Sequence, residues 1–127
     1  LDTSALIEIE KDNRNIIEKI ESLKKFHPSI PVISFIVYFE VLEGIMKRDP
    51  KRKEKEIEIL DSFICLNASK RTAQILTDLR IKYSEKGIQL SLADLIIAST
   101  AKEHDLILVT KDNHFSKIEE INKIILD

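Results

Sequence analysis

The stretch Leu106-Ile107-Leu108-Val109-Thr110-Lys111-Asp112-Asn113-His114-Phe115 decides the fold. Its first four residues are continuously apolar, which predicts a strand buried on both faces, as in a parallel sheet covered by helices. Working outward, residues 31–33 and 64–66 read as short buried strands and residues 123–126 as a last edge strand. Between them lie helical patterns. Residues 3–10 read as a helix start with Ser4 a possible N-cap, and residues 15–25 place Ile16, Ile17, Ile20 and Leu23 on one face. Ser34 is set to cap a helix over residues 35–46, and a second helix runs to about Phe63. Ser69 caps a third, with Ala73, Leu76, Leu79 and Tyr83 inward and Lys86-Gly87 at its end, glycine suiting the left-handed position there. A fourth follows Ser91 to about Glu103, and residues 115–121 read as a short fifth. Strands alternating with helices predict an α/β domain, a central parallel sheet flanked by helices.

Size and composition bound the rest. With 127 residues the chain suffices for one domain with a real core, and residues 1–127 show no internal repeat, low-complexity tract or linker. A net charge of -2 is not the balance of a strong nonspecific nucleic-acid binder, although local basic stretches occur. Of these the most basic is Lys47, Arg48, Lys51, Arg52, Lys53 and Lys55; Lys70, Arg71, Arg80 and Lys82 are others. The single cysteine, Cys65, allows no internal disulfide and reads as a buried strand residue in a reducing, cytoplasmic compartment. No stretch is apolar for long enough to span a bilayer, so no membrane association is expected. Three scattered histidines with one cysteine argue against a zinc site, and the lack of a Gly-rich phosphate loop argues against an ATPase.

Four acids stand out because each adjoins apolar sequence: Asp2, Glu40, Asp94 and Asp112. Asp2 is expected to end a first strand whose opening residues are missing ahead of Leu1. Glu40 interrupts Phe35-Ile36-Val37-Tyr38-Phe39-Glu40-Val41-Leu42, Asp94 sits in Leu92-Ala93-Asp94-Leu95-Ile96, and Asp112 follows the strand at 106–109. Each has a plain structural use: a helix cap for Asp2, a solvated helix edge for Glu40, a dipole-favoured position for Asp94, a turn for Asp112. Taken together they map to one edge of a parallel sheet, where functional groups gather. Carboxylates without basic partners are costly to desolvate, and a hard divalent cation answers that cost for all of them at once. Such a cluster can position a phosphodiester for hydrolysis.

The four segments, in this order, resemble the PIN domain family, especially its VapC-type toxins. Asp2-Thr3-Ser4 resembles the opening motif, residues 34–44 with Glu40 and Gly44 the second, residues 92–101 with Asp94 the third, and residues 108–115 with Asp112 the fourth. The resemblance covers essentially the whole chain. It implies a PIN-like three-layer sandwich and an endoribonuclease dependent on Mg2+ (or Mn2+), with Asp2, Glu40, Asp94 and Asp112 as metal-binding catalytic acids. Thr3 or Ser4, and Thr110, would support them by hydrogen bonds. An RNA substrate, a homodimer and a cognate antitoxin lying across the active site are implied as well. His114 stands where many relatives carry an acid; capping of the last helix is favoured over contact with phosphate. Two alternatives share these residues: a PIN-type RNA-processing nuclease without an antitoxin, and a PIN-like module that binds RNA or a partner after losing catalysis. A receiver-like phosphoacceptor domain fits the Asp2-Thr3-Ser4 start poorly.

Overall fold

The computed structural model describes residues 4–8, 30–47 and 53–125. Asp2, Thr3, the helix expected at 15–25, and Arg48, Lys51 and Arg52 of the basic stretch lie outside them. Among the described residues five strands form one sheet: β1 (Ser4–Ile7), β2 (Ile30–Ser34), β3 (Ile64–Leu66), β4 (Ile107–Thr110) and β5 (Lys123–Ile125). Their order is β3-β2-β1-β4-β5, and every neighbouring pair is parallel. The central position of β1 sets the register, with Leu6 beside Val32 on one side and Leu108 on the other.

Among the described residues the α-helices are α1 (Phe35–Met46), α2 (Lys53–Asp61), α3 (Lys70–Glu85) and α4 (Leu92–Glu103). The chain steps one way along the sheet from β1 to β3 and the other way from β3 through β4 to β5. Right-handed crossovers therefore carry the connecting helices to both faces. The expected caps are present: Ser34 accepts from the Val37 amide, Ser69 from that of Thr72 and Ser91 from that of Asp94. Each such cap contributes about 1 kcal/mol to its helix. Gly87 has the expected left-handed backbone, φ 75°.

The core runs through the sheet. Leu6, Ile33 and Leu108 are fully buried, as are Leu60, Ala98, Phe115 and Ile118. Each large apolar side chain so buried is worth roughly 1.5–3 kcal/mol.

Four expectations are corrected here. Residues 4–7 form the central strand instead of starting a helix, because Ala5-Leu6-Ile7 supplies the apolar extended segment that the slot between β2 and β4 requires. The carboxyl end of β1 therefore carries Glu8. Helix α3 buries Thr72, Ile75, Leu79 and Tyr83, while Ala73 is exposed; the true stripe begins one residue before the one read from sequence. Cys65 is only half-buried, since β3 is an edge strand. The last helix is a 3-10 turn at Asn113–Lys117. Phe115 and Ile118 both point into the core, and an i, i+3 pair lines up in the tighter 3-10 winding.

Beyond that turn, Glu120 ties residues 118–121 to α3. Its carboxylate accepts from Lys82 Nζ at 2.5 Å and from the Tyr83 hydroxyl at 2.6 Å, and that hydroxyl accepts from the Glu119 amide at 2.9 Å. Burial alone would raise the Glu120 pKa; the bonds from Lys82 and Tyr83 outweigh it and hold the group down at about 2. The folded value lies below the ordinary 4.5, so Glu120's contribution to stability is complete above about pH 4.5 and is lost as pH falls toward 2. Urea unfolding across that range should show this loss in the native protein. Glu120→Ala should remove it and cost about 1–3 kcal/mol at neutral pH, because the buried Tyr83 hydroxyl loses its acceptor.

A candidate metal centre at the carboxyl edge of the sheet

Strand order reverses at β1, so the crevice between β1 and β4 is the switch point at which α/β sheets collect ligands. Thr110, the last residue of β4, is 1% exposed and stands at that crevice. Its hydroxyl donates to Glu8 Oε1 at 2.7 Å and accepts from the Asp112 amide at 2.9 Å. One buried hydroxyl thus links the carboxyl end of β1 to the start of the turn after β4. Glu8 is further held by its own amide, which donates to the Val109 carbonyl at 3.0 Å.

Asp112 caps the 3-10 turn, accepting from the His114 amide at 2.8 Å. This places the His114 ring against the same carboxylate, Nδ1 to Oδ1 at 3.1 Å. Asp94 arrives from the other side. It occupies the first turn of α4, where the helix dipole favours an acid. Its Oδ2 lies 3.8 Å from His114 Nδ1. The side chains grade from inside to outside: Asp94 is 17% exposed, Asp112 32% and His114 67%. Among the described residues, Asp94, Asp112 and His114 form a group whose ligand atoms all lie within 4.8 Å of one another. Two carboxylates and an imidazole in that space are a chemically sound donor set for one divalent cation.

Electrostatics reflect the crowding. The Asp94 carboxyl is raised above its ordinary value, first by burial and then by the negative charge of Asp112; the bond with Ser91 and the proximity of His114 act in the other direction. Two acids held together this way favour a cation between them.

The sequence-predicted residues divide accordingly. Asp94 and Asp112 are brought together, and Thr110 supports Asp112 directly. Glu40 lies on the second turn of α1, half-buried, and is not a member of the group. Ser4 begins β1, and Asp2 and Thr3 are outside the described residues. His114 is not a helix cap: Asp112 takes that role and His114 joins the acids. Glu8 is the residue that sequence reading misses; His114 it singles out, but as a cap in preference to a phosphate contact. Glu8 carries a signal like that of Asp112, an acid just after an apolar run, here Ala5-Leu6-Ile7, but the helix reading of residues 3–10 conceals it. Of the basic residues, Lys82 is engaged by Glu120, and Lys47 pairs with Glu43 at 3.8 Å. Arg71 and Arg80 are exposed.

A parallel five-stranded sheet with helices in its crossovers and two acids at its switch point defines an α/β domain with a candidate site at the carboxyl edge. The chain belongs to the PIN domain family, whose sequence profile matches residues 1–121. Among solved structures it is similar to VapBC2 from Rickettsia felis bound to a promoter DNA fragment, with 24% identity and a TM-score of 0.78 over 98% of this chain and 100% of that one. It is likewise similar to a toxin-antitoxin complex from Klebsiella pneumoniae, with 26% identity and a TM-score of 0.72 over 94% and 95% of the two chains. DNA-bound VapBC from Salmonella typhimurium gives 22% identity and a TM-score of 0.79 over 98% of each chain. A comparison with curated proteins finds no match. Among the described residues no helix is long and apolar enough to cross a membrane.

The electrostatic reading predicts that Asp112→Asn lowers the Asp94 pKa in metal-free protein, since a like charge is removed while burial stays. Carboxyl NMR titration measures this. An unmoved Asp94 value would mean that the two acids do not share a field.

Proposed function

We propose that the chain is a VapC-type toxin, a Mg2+- or Mn2+-dependent endoribonuclease controlled by a cognate antitoxin. The observation that carries this reading is the meeting of Asp94, from the first turn of α4, with Asp112, from the turn after β4, at the switch point of the sheet. Membership of the PIN family supports it, as does similarity along nearly the whole chain to complexes described as toxin–antitoxin pairs.

In this reading Asp94 and Asp112 would hold the cation and Glu40 would complete the acidic set; Asp2, expected at the carboxyl edge, precedes the amino end of β1 in sequence, and Glu8 stands at the carboxyl end instead. Thr110 fixes Asp112 through its amide. When bound, the ion polarises the phosphate and eases deprotonation of the attacking water. The reaction is hydrolysis of an RNA phosphodiester: the water oxygen joins phosphorus and the bond to the departing ribose oxygen breaks. The exposed cations Arg71 and Arg80 are available to the RNA backbone, offsetting an acidic site.

A partner surface is also available. Phe35, Phe39 and Met46 on α1 are 56%, 47% and 53% exposed. Phe35 and Phe39, one turn apart at the carboxyl edge of the sheet, suit an antitoxin segment or the second subunit of a homodimer.

Purified protein should cleave structured RNA with Mg2+ or Mn2+ and stop when a chelator is added. Asp94→Asn and Asp112→Asn should each reduce the rate by about 100-fold or more, as expected when a metal site loses a ligand. Cleavage by Asp94→Asn at the native rate, or activity that survives chelation, removes the metal-centre reading.

A further inference from the structure

We infer that His114 is itself a ligand of the cation, so that the centre is a mixed nitrogen–oxygen site preferring Mn2+ to Mg2+. The inference rests on the metal-centre reading above and concerns which donors complete it.

Three observations support it. First, the spacing suits a common ion. With metal–ligand bonds of about 2.1 Å, donors at neighbouring positions of an octahedron are about 3.0 Å apart and opposite donors about 4.2 Å. His114 Nδ1 stands 3.1 Å from Asp112 Oδ1 and 3.8 Å from Asp94 Oδ2, between those limits. Second, the ring is positioned by the backbone. The Asp112 carboxylate accepts the His114 amide at 2.8 Å, so the capping bond that winds the 3-10 turn also presents Nδ1 to the acids. Third, the burial gradient leaves His114 on the outer, wet side while Asp94 lies inside. The imidazole and both acids would hold a cation from solvent, and the exposed side of His114 leaves the site open to water.

Donor chemistry then sets the preference. Mg2+ favours oxygen donors and dehydrates reluctantly. An imidazole nitrogen suits first-row transition ions, for which affinity at a nitrogen–oxygen site rises from Mn2+ onward. A carboxylate at position 114 would restore an all-oxygen site and with it the standing of Mg2+.

The test is binding of Mn2+ alone to the purified chain, followed by electron paramagnetic resonance, with Mg2+ as competitor. The native protein should show nitrogen-14 coupling on the bound Mn2+. His114→Ala should lose that coupling and weaken Mn2+ binding by about tenfold or more. His114→Asp should also lose the coupling yet still bind, with the Mn2+-to-Mg2+ affinity ratio reduced by a similar factor. Nitrogen coupling that persists in His114→Ala would come from His27 or His104 and overturns the inference. Absence of coupling in native protein whose Mn2+ binding is abolished by Asp94→Asn also overturns it, while leaving the acidic centre intact. Mn2+ binding that Asp94→Asn does not change overturns both the inference and the reading beneath it.

Discussion

The constraint on which everything else depends is that all the strands run the same way. A parallel sheet cannot be closed by hairpins, so each strand must be followed by a crossover that begins at the carboxyl edge and returns to the amino edge. Whatever follows β1, β2 and β4 therefore starts from one common rim. In this chain those following residues are Glu8, the cap Ser34 with α1 behind it, and Thr110 leading to Asp112. Reversal of strand order at β1 then opens a crevice between the ends of β1 and β4. The acidic site is a consequence of strand direction before it is a consequence of any individual side chain.

Placing acids on that rim has an energetic cost, and the local structure shows how it is met. Two carboxylates a few ångströms apart repel by about 4 kcal/mol at an effective dielectric of 20. Asp94 is stabilised by the amino end of α4 and the Ser91 cap, and Asp112 by the His114 amide and the backbone order that Thr110 imposes. These contacts reduce the repulsion without removing it, and burial first, with the charge of Asp112 second, keeps Asp94 raised from its ordinary value. A site left in that condition is pre-set for positive charge. The His114 ring lies beside both acids, 3.1 Å from Asp112 and 3.8 Å from Asp94.

How much of this was legible in the sequence depended on whether a signal was local. Apolar runs and serine caps are local, and they located β3, α1, α3 and α4 closely; the four PIN-like segments named the family. What was lost needed knowledge of neighbours. Ala5-Leu6-Ile7 carries no turn signal to separate strand from helix, and only the empty slot between β2 and β4 makes it a strand. The choice moved Glu8 to the rim and left Asp2 ahead of the strand in sequence. The inner stripe of α3 was displaced because Ala73 is apolar but Thr72 has a partner: its hydroxyl donates to Glu103, a residue 31 positions later. His114 was read as a cap because the sequence shows Asp112 and His114 two residues apart but not which of them accepts the bond.

The separation between Asp94 and Asp112 is the quantity that decides whether one ion can be shared, and it is fixed from both ends of α4. Asp112 is held locally, two residues from the buried Thr110. Asp94 comes from a different part of the chain and is only as well placed as its helix. At the amino end Ser91 caps α4; at the other end Glu103 is clasped by Ser69, at 2.9 Å, and by Thr72, the two residues that form the capping box of α3. Burial on its own would raise the Glu103 pKa, but these hydroxyls lower it, so the clasp stays charged at the positive end of α3. Between Asp94 and Glu103 lie nine helical steps, about 13 Å of rigid rod at 1.5 Å per residue. A clasp at the far end thus helps hold the rod whose near end carries Asp94, and a shared site tolerates only small displacements of its ligands. Helix packing remote from the two acids is in this way part of what sets the geometry of the candidate site.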